Sequence, residues 1–206
     1  SNQTPWPSIR RFKLQGDCDY SRPQQGPGTL NLPQVLAKFN RLEQLALQLS
    51  EHPNAAIDYN PLGNLAALRG LTKLYLDCYS NTGNSSYTPT ISNTLLQQMG
   101  THLPNLRSLY LARPNQAMVP ALTTHFRQLQ ALCLVHSWFS NCNTVSPTDS
   151  LRTLAQHLNR LERLSLATFP WGKTYGEHTL SYEVLQGFLR QNAQLRHLSL
   201  GNGIRP

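Results

Sequence analysis

The sequence predicts an α/β solenoid of about seven irregular strand–helix repeats, with a parallel sheet on its concave side and helices on its convex side. Three observations support this fold class. Seven times, an apolar residue is followed by a second one three positions later and by a third two positions after that. Segments with helical spacing of apolar residues lie between these copies, and capping residues mark helix starts. A strand–helix unit cannot bury its apolar face alone, so such units stack.

Each copy of the apolar pattern predicts one short strand. In Leu109-Tyr110-Leu111 the alternation of a strand directs the two leucines inward and Tyr110 outward. The seven copies are Ile9/Phe12/Leu14, Leu42/Leu45/Leu47, Leu71/Leu74/Leu76, Leu106/Leu109/Leu111, Leu129/Leu132/Leu134, Leu161/Leu164/Leu166 and Leu195/Leu198/Leu200.

Helical spacing of apolar residues predicts the return helices that follow the strands. Two helix starts carry capping signals, because Asn60 and Ser146 each precede a proline, which is well suited to a first helical turn. Ser146 with Asp149 also fits a capping box. The segments with helical spacing are 32–39, 62–68, 91–99, 151–158 and 184–189.

The formal net charge of +8 favours acidic partners or nucleic acid. The single tight cluster of cations is Arg10-Arg11-Lys13, and the other arginines are spread along the repeats without the interleaved aromatics of a nucleic-acid site. We therefore expect a solvated repeat surface and do not expect nucleic acid to be the partner. No apolar run is long enough for a membrane span, so we expect no membrane association.

The four cysteines do not form a dense framework of disulfides. Strands two or more repeats apart hold their Cα atoms too far apart for a bridge, although a loop could bring Cys142 back to Cys133. Free thiols favour a reducing compartment, so we predict a cytoplasmic or nuclear location.

The repeats indicate that residues 1–206 form one domain. The chain starts with Ser1 rather than methionine, and no polar capping element follows the seventh strand. A repeat array without caps leaves apolar surface exposed. We therefore expect the sequence to be a fragment of a longer chain.

No catalytic or cofactor motif is present in the sequence. It lacks a phosphate-binding glycine loop, a nucleophile elbow and a paired-histidine zinc motif. Its seven histidines are scattered singly, without the spacing of metal ligands. We predict that the protein is not an enzyme and has neither a cofactor nor a metal site.

Side chains on the outward positions of the strands are the candidate contacts to a protein partner. Tyrosine and arginine are frequent at binding hot spots, although a ladder of tyrosines also stabilises a sheet. Three loop aromatics, Trp138, Trp171 and Tyr175, either anchor a partner or pack their loops onto the next repeat. The candidate contacts on the concave face are Arg11, Lys13, Lys73, Tyr75, Arg107, Tyr110, Arg163 and His197.

Two stretches carry a resemblance to a known family. Residues 103–111, Leu-Pro-Asn-Leu-Arg-Ser-Leu-Tyr-Leu, and 158–166, Leu-Asn-Arg-Leu-Glu-Arg-Leu-Ser-Leu, are similar to leucine-rich repeats of the ribonuclease-inhibitor-like class. They resemble in particular the irregular repeats of fungal F-box proteins. The sequence departs from that class in having no ladder of Asn or Cys at the ninth repeat position. It also contains no recognisable F-box.

The resemblance implies a non-catalytic protein-interaction domain, in its most specific form the substrate-recognition region of an F-box-type ubiquitin-ligase adaptor. Cullin machinery is a partner only if an F-box lies outside this chain. An alternative is a repeat domain of an effector or a structural subunit of a larger assembly. A basic module facing RNA is a third interpretation, which rests on charge alone.

Overall fold

A computed structural model describes residues 8–17, 32–51, 62, 64–80, 91–112, 118–135, 147–167 and 182–201. Within these ranges the chain alternates strands with helices, so it is an α/β protein. Its contacts divide it into two compact units, Ser1–Leu106 and Arg107–Pro206. Each unit has its own parallel strands, and we describe the two in turn.

The first unit contains three parallel strands in chain order. Its short helices follow the strands, as expected for parallel connections. The elements are β1 (Arg11–Asp17), α1 (Leu32–Leu36), β2 (Gln44–Glu51), a 3₁₀ helix (Leu65–Leu68), β3 (Lys73–Ser80) and α2 (Asn93–His102).

The second unit contains four parallel strands, again in chain order. One helix lies between each pair of successive strands. The elements are β4 (Ser108–Ala112), α3 (Val119–His125), β5 (Ala131–Val135), α4 (Pro147–His157), β6 (Arg163–Ala167), α5 (Tyr182–Gln191) and β7 (His197–Gly201).

Leucines of the apolar pattern form the core of each unit. In β2, Leu45 and Leu47 are buried, and the pattern of β5 alternates buried leucines with half-buried residues. The helices bury their own apolar face, as Leu96 and Met99 of α2 show. Burial of a leucine contributes about 1.5–3 kcal/mol, so a core of this kind is the main stabilising term of each unit.

Within each unit, a carbonyl group just before one strand fixes the start of the next strand. The Glu43 carbonyl accepts hydrogen bonds from the backbone N–H groups of Thr72 (2.8 Å) and Lys73 (3.0 Å). In the second unit the Gln130 carbonyl accepts from Glu162 (2.8 Å) and Arg163 (3.0 Å). This repeated arrangement sets the parallel register, which then holds along the whole strand.

All seven strands predicted from the apolar pattern are present. The start of α4 at Pro147 agrees with the predicted proline signal. The apolar spacing predicts a helix over 62–68, whereas the described part of this segment forms the 3₁₀ helix Leu65–Leu68, whose N-cap Asn64 accepts from the Ala66 N–H at 3.1 Å. None of the named helical segments included α3. Its first turn contains Pro120, and its buried face consists of Val119, Leu122 and Thr123.

Candidate functional site

In the first unit, the sheet side opposite the leucine core carries polar side chains in register. Arg11 pairs with Gln44 and Gln44 with Lys73, while the next row joins Lys13 to Ala46 and Tyr75. Neighbouring strands are roughly 4.8 Å apart, so each row is a set of close neighbours. We call this surface the first sheet face: Arg11, Lys13, Gln15, Gln44, Ala46, Gln48, Lys73, Tyr75 and Asp77.

The first sheet face is basic. Arg11, Lys13 and Lys73 are exposed, and Tyr75 is half-buried. Asp77 is the single acidic residue among these nine. At the edge of this face Arg10 forms an ion pair with Glu43, with Nη1 and Oε1 2.6 Å apart. The Arg10 side chain is 64% exposed and that of Glu43 is 42% exposed, so water screens the pair and it contributes little to stability.

In the second unit, most side chains in the central row of the corresponding surface are smaller. Tyr110 is half-buried and pairs in register with Cys133, which pairs with Ser165 and so with Ser199. Small side chains at these positions allow a partner to approach the sheet backbone closely. We call this surface the second sheet face: Ser108, Tyr110, Ala131, Cys133, Val135, Arg163, Ser165, His197 and Ser199.

Arg163 and His197 are exposed neighbours on the second sheet face, since they pair in register between β6 and β7. Arg107 lies immediately before β4 and is half-buried. Its carbonyl accepts from the N–H groups of Gln130 (2.8 Å) and Ala131 (2.9 Å). The Arg107 backbone thus fixes the start of β5. Arg107 lies just before the first residue of β4 and is not part of the rows of the second sheet face.

Cys133 is a free thiol at the centre of the second sheet face. Burial raises the pKa of the Cys133 thiol, and a hydrogen bond with Ser165 opposes that shift in part. A raised pKa keeps the sulfur protonated near neutral pH, whereas a reactive cysteine requires the thiolate. The arrangement therefore favours a packing role for Cys133 over a nucleophilic one.

The structure brings some of the predicted contacts together and leaves others apart. Arg11, Lys13, Lys73 and Tyr75 share the first sheet face, while Tyr110, Arg163 and His197 share the second. The three loop aromatics, Trp138, Trp171 and Tyr175, lie outside the described residues.

Sequence reasoning missed a polar groove of about 550 Å³ on the second unit. It lies where α3 and α4 turn into the strands that follow them. The turns before β5 and β6 are visible in the sequence, but Arg127 and Arg160 occupy different positions within them, so no fixed repeat position marks the groove. We call it the basic groove, and its lining residues are Arg127, Gln128, Gln156, His157, Asn159 and Arg160.

The described ranges contain no group of three or more His, Cys, Asp or Glu side chains placed to hold a metal ion. No described helix combines the length and the apolar character that crossing a membrane requires.

Comparison with known proteins assigns no family to this chain. No protein-family model matches it, and no curated protein matches it.

Proposed function

We propose that the chain is a non-catalytic protein-interaction domain, built as a leucine-rich-repeat solenoid, and that its two sheet faces contact a protein partner. The observation that carries this proposal is the in-register display of polar side chains on strands whose other side is buried leucine. A rigid backing of this kind fixes the spacing of the contact residues. Preorganised contacts lose little entropy on binding.

The charge of the first sheet face indicates the chemistry of the partner. Three exposed cations and one carboxylate leave it positive, so an acidic protein surface is complementary to it. The second sheet face offers Tyr110 as an anchor in the same row as the small side chains of Cys133 and Ser165. Tyrosine supplies large contact area at low entropic cost.

The most specific form of the proposal is the substrate-recognition region of an F-box-type ubiquitin-ligase adaptor. Support for it comes from the resemblance of residues 103–111 and 158–166 to leucine-rich repeats of that family. An effector domain or a subunit of a larger assembly uses the same contact surface without ubiquitin chemistry. The two differ in whether cullin machinery accompanies the protein.

Affinity purification of the full-length natural protein tests both levels of the proposal. The bait is compared with a face variant, Lys13→Glu with Lys73→Glu, and with a control of equal charge change, Arg41→Glu with Arg190→Glu. All four residues are positively charged. Arg41 lies in a turn and Arg190 lies in α5, so neither belongs to the first sheet face.

A partner lost by the face variant but retained by the control supports binding through the first sheet face. A partner retained by both variants removes that face from the site, and Tyr110→Ala then tests the second one. Recovery of cullin with its adaptor supports the ligase form, whereas reproducible partners without cullin support a scaffold or an assembly subunit.

A further inference from the structure

The basic groove is formed by two turns of the same construction in successive repeats. In the first turn the Leu129 N–H donates to the Phe126 carbonyl at 3.0 Å, and in the second the Leu161 N–H donates to Leu158 at 3.3 Å. All four of these residues are buried. The two residues between each buried pair are therefore held on a fixed loop, with their side chains at the surface.

The two turns are fixed side by side. The Gln130 carbonyl, one residue after the first turn, accepts from the N–H groups of Glu162 and Arg163, just after the second turn. The strands that follow, β5 and β6, then pair in register. The backbone hydrogen bonds and the strand register of the second unit therefore fix the groove between the turns. Its formation does not depend on the position of a long loop.

The lining of the basic groove is positive and contains no carboxylate. Arg127 and Arg160 are exposed, and neither forms an ion pair within the part of the chain that the structure describes. Three side-chain amides, those of Gln128, Gln156 and Asn159, add hydrogen-bond donors and acceptors.

The partial negative charge of the nearby helix ends does not neutralise the arginines of the basic groove. α3 and α4 end beside the groove, and the C-terminus of a helix carries roughly half a negative charge, which nearby cations offset. Two helix ends amount to about one charge, whereas two guanidinium groups carry two. His157, in the last turn of α4, adds a further donor. A net positive groove remains.

We propose that the basic groove binds an acidic peptide segment, independently of the sheet faces. The forked guanidinium groups of Arg127 and Arg160 match the geometry of carboxylates, and the three amides suit the N–H and C=O groups of a peptide backbone. The volume lies within the range of ligand sites, but the polar lining disfavours an apolar small molecule. The lining includes no aromatic residue on which a base could stack, which disfavours single-stranded nucleic acid.

Fluorescence anisotropy with the purified chain tests this proposal. The probes are a labelled hexaglutamate peptide and a labelled six-nucleotide RNA, each titrated at low and at physiological salt. The groove variant is Arg127→Gln with Arg160→Gln. The control is Arg41→Gln with Arg190→Gln, which makes the same change in net charge. Arg41 is a matched choice because it lies in an equivalent turn, closed by the Leu42 N–H and the Phe39 carbonyl at 3.4 Å.

We expect the groove variant to bind hexaglutamate at least about tenfold more weakly than the unmodified chain, and the control to stay within about twofold. Melting temperatures verify that both variants fold, because exposed substitutions of this kind change stability little. Equal losses in both variants would show a diffuse effect of net charge and overturn the proposal. Tighter binding of the RNA, lost in the groove variant, would overturn it in favour of a nucleic-acid site.

Discussion

Replacing Asn192 with leucine is expected to stabilise the protein. Asn192 follows α5 at the position that Phe126 and Leu158 occupy after α3 and α4, and those two residues are fully buried. Asn192 is also buried, at 2% exposure. Its Nδ2 donates to the Phe188 carbonyl at 3.0 Å, while its Oδ1 has no hydrogen-bond partner in the structure as described. A polar side chain thus occupies an apolar position of the repeat.

The magnitude follows from the groups gained and lost. A buried acceptor without a partner costs about 1–3 kcal/mol, and a buried leucine contributes about 1.5–3 kcal/mol. The substitution removes one hydrogen bond, which contributes about 0.5–1.5 kcal/mol, and imperfect packing subtracts about 1 kcal/mol. The Phe188 carbonyl keeps its bond from the residue 192 N–H at 3.1 Å, so no new group is left unpaired. The central values leave a net gain of about 2 kcal/mol in the free energy of unfolding.

Urea unfolding measures this gain as a higher midpoint with an unchanged slope, and each kcal/mol raises the melting temperature by about 2–4 °C. Leu158→Asn is the reciprocal control. It places an amide at the matching position one repeat earlier and is expected to cost at least about 3 kcal/mol. A midpoint for Asn192→Leu at or below that of the unmodified chain, with the control destabilised as expected, would refute the reasoning, because Asn192 would then be fully paired.

Two further predictions concern single side chains. Ser92→Ala should lower the free energy of unfolding by about 1 kcal/mol in urea, since Ser92 Oγ caps α2 by accepting from the Leu95 N–H at 3.1 Å; a loss below about 0.3 kcal/mol would contradict that role. Because burial raises the pKa of the Cys133 thiol, the pH at half-maximal rate of its alkylation should be higher in the native chain than in urea. Ser165→Ala should move it higher still, and coincident pH profiles would contradict the burial argument.

The strands could be predicted from the sequence because each one needs apolar residues at the same three positions. Leu45 and Leu47 must both face the core, and a third leucine, Leu42, must close the preceding turn. Apolar residues at alternate positions, preceded at a fixed distance by a leucine that closes a turn, form a pattern that few other structures produce. Phe12 and Leu198, on β1 and β7, match the pattern equally well but are only half-buried.

The helices were predicted less well because they vary between repeats. α3 contains only seven residues, and its buried residues, Val119, Leu122 and Thr123, include a threonine that no apolar pattern counts. The buried Thr123 hydroxyl is hydrogen-bonded within its own helix, where it donates to the carbonyls of Val119 (3.1 Å) and Pro120 (3.0 Å). Such a bond is visible only once the backbone is helical.

The rows of the two sheet faces followed from strand alternation, but the basic groove did not. Arg127 and Arg160 are separated by one repeat, and in sequence they resemble scattered surface arginines. Their proximity depends on the register of β5 and β6, which the Gln130 carbonyl sets. One arginine is the second residue of its turn and the other is the third, so a search for a fixed repeat position would miss the pair.

The basic groove and the second sheet face can change independently, because different parts of the same repeat produce them. The sheet face depends on strand residues such as Cys133 and Ser165, whose spacing the register fixes. The groove depends on turn residues between two buried side chains, where we expect a substitution to leave the core and the register intact. A variant of Arg127 and Arg160 should therefore lose the acidic peptide while keeping a partner that binds through Tyr110.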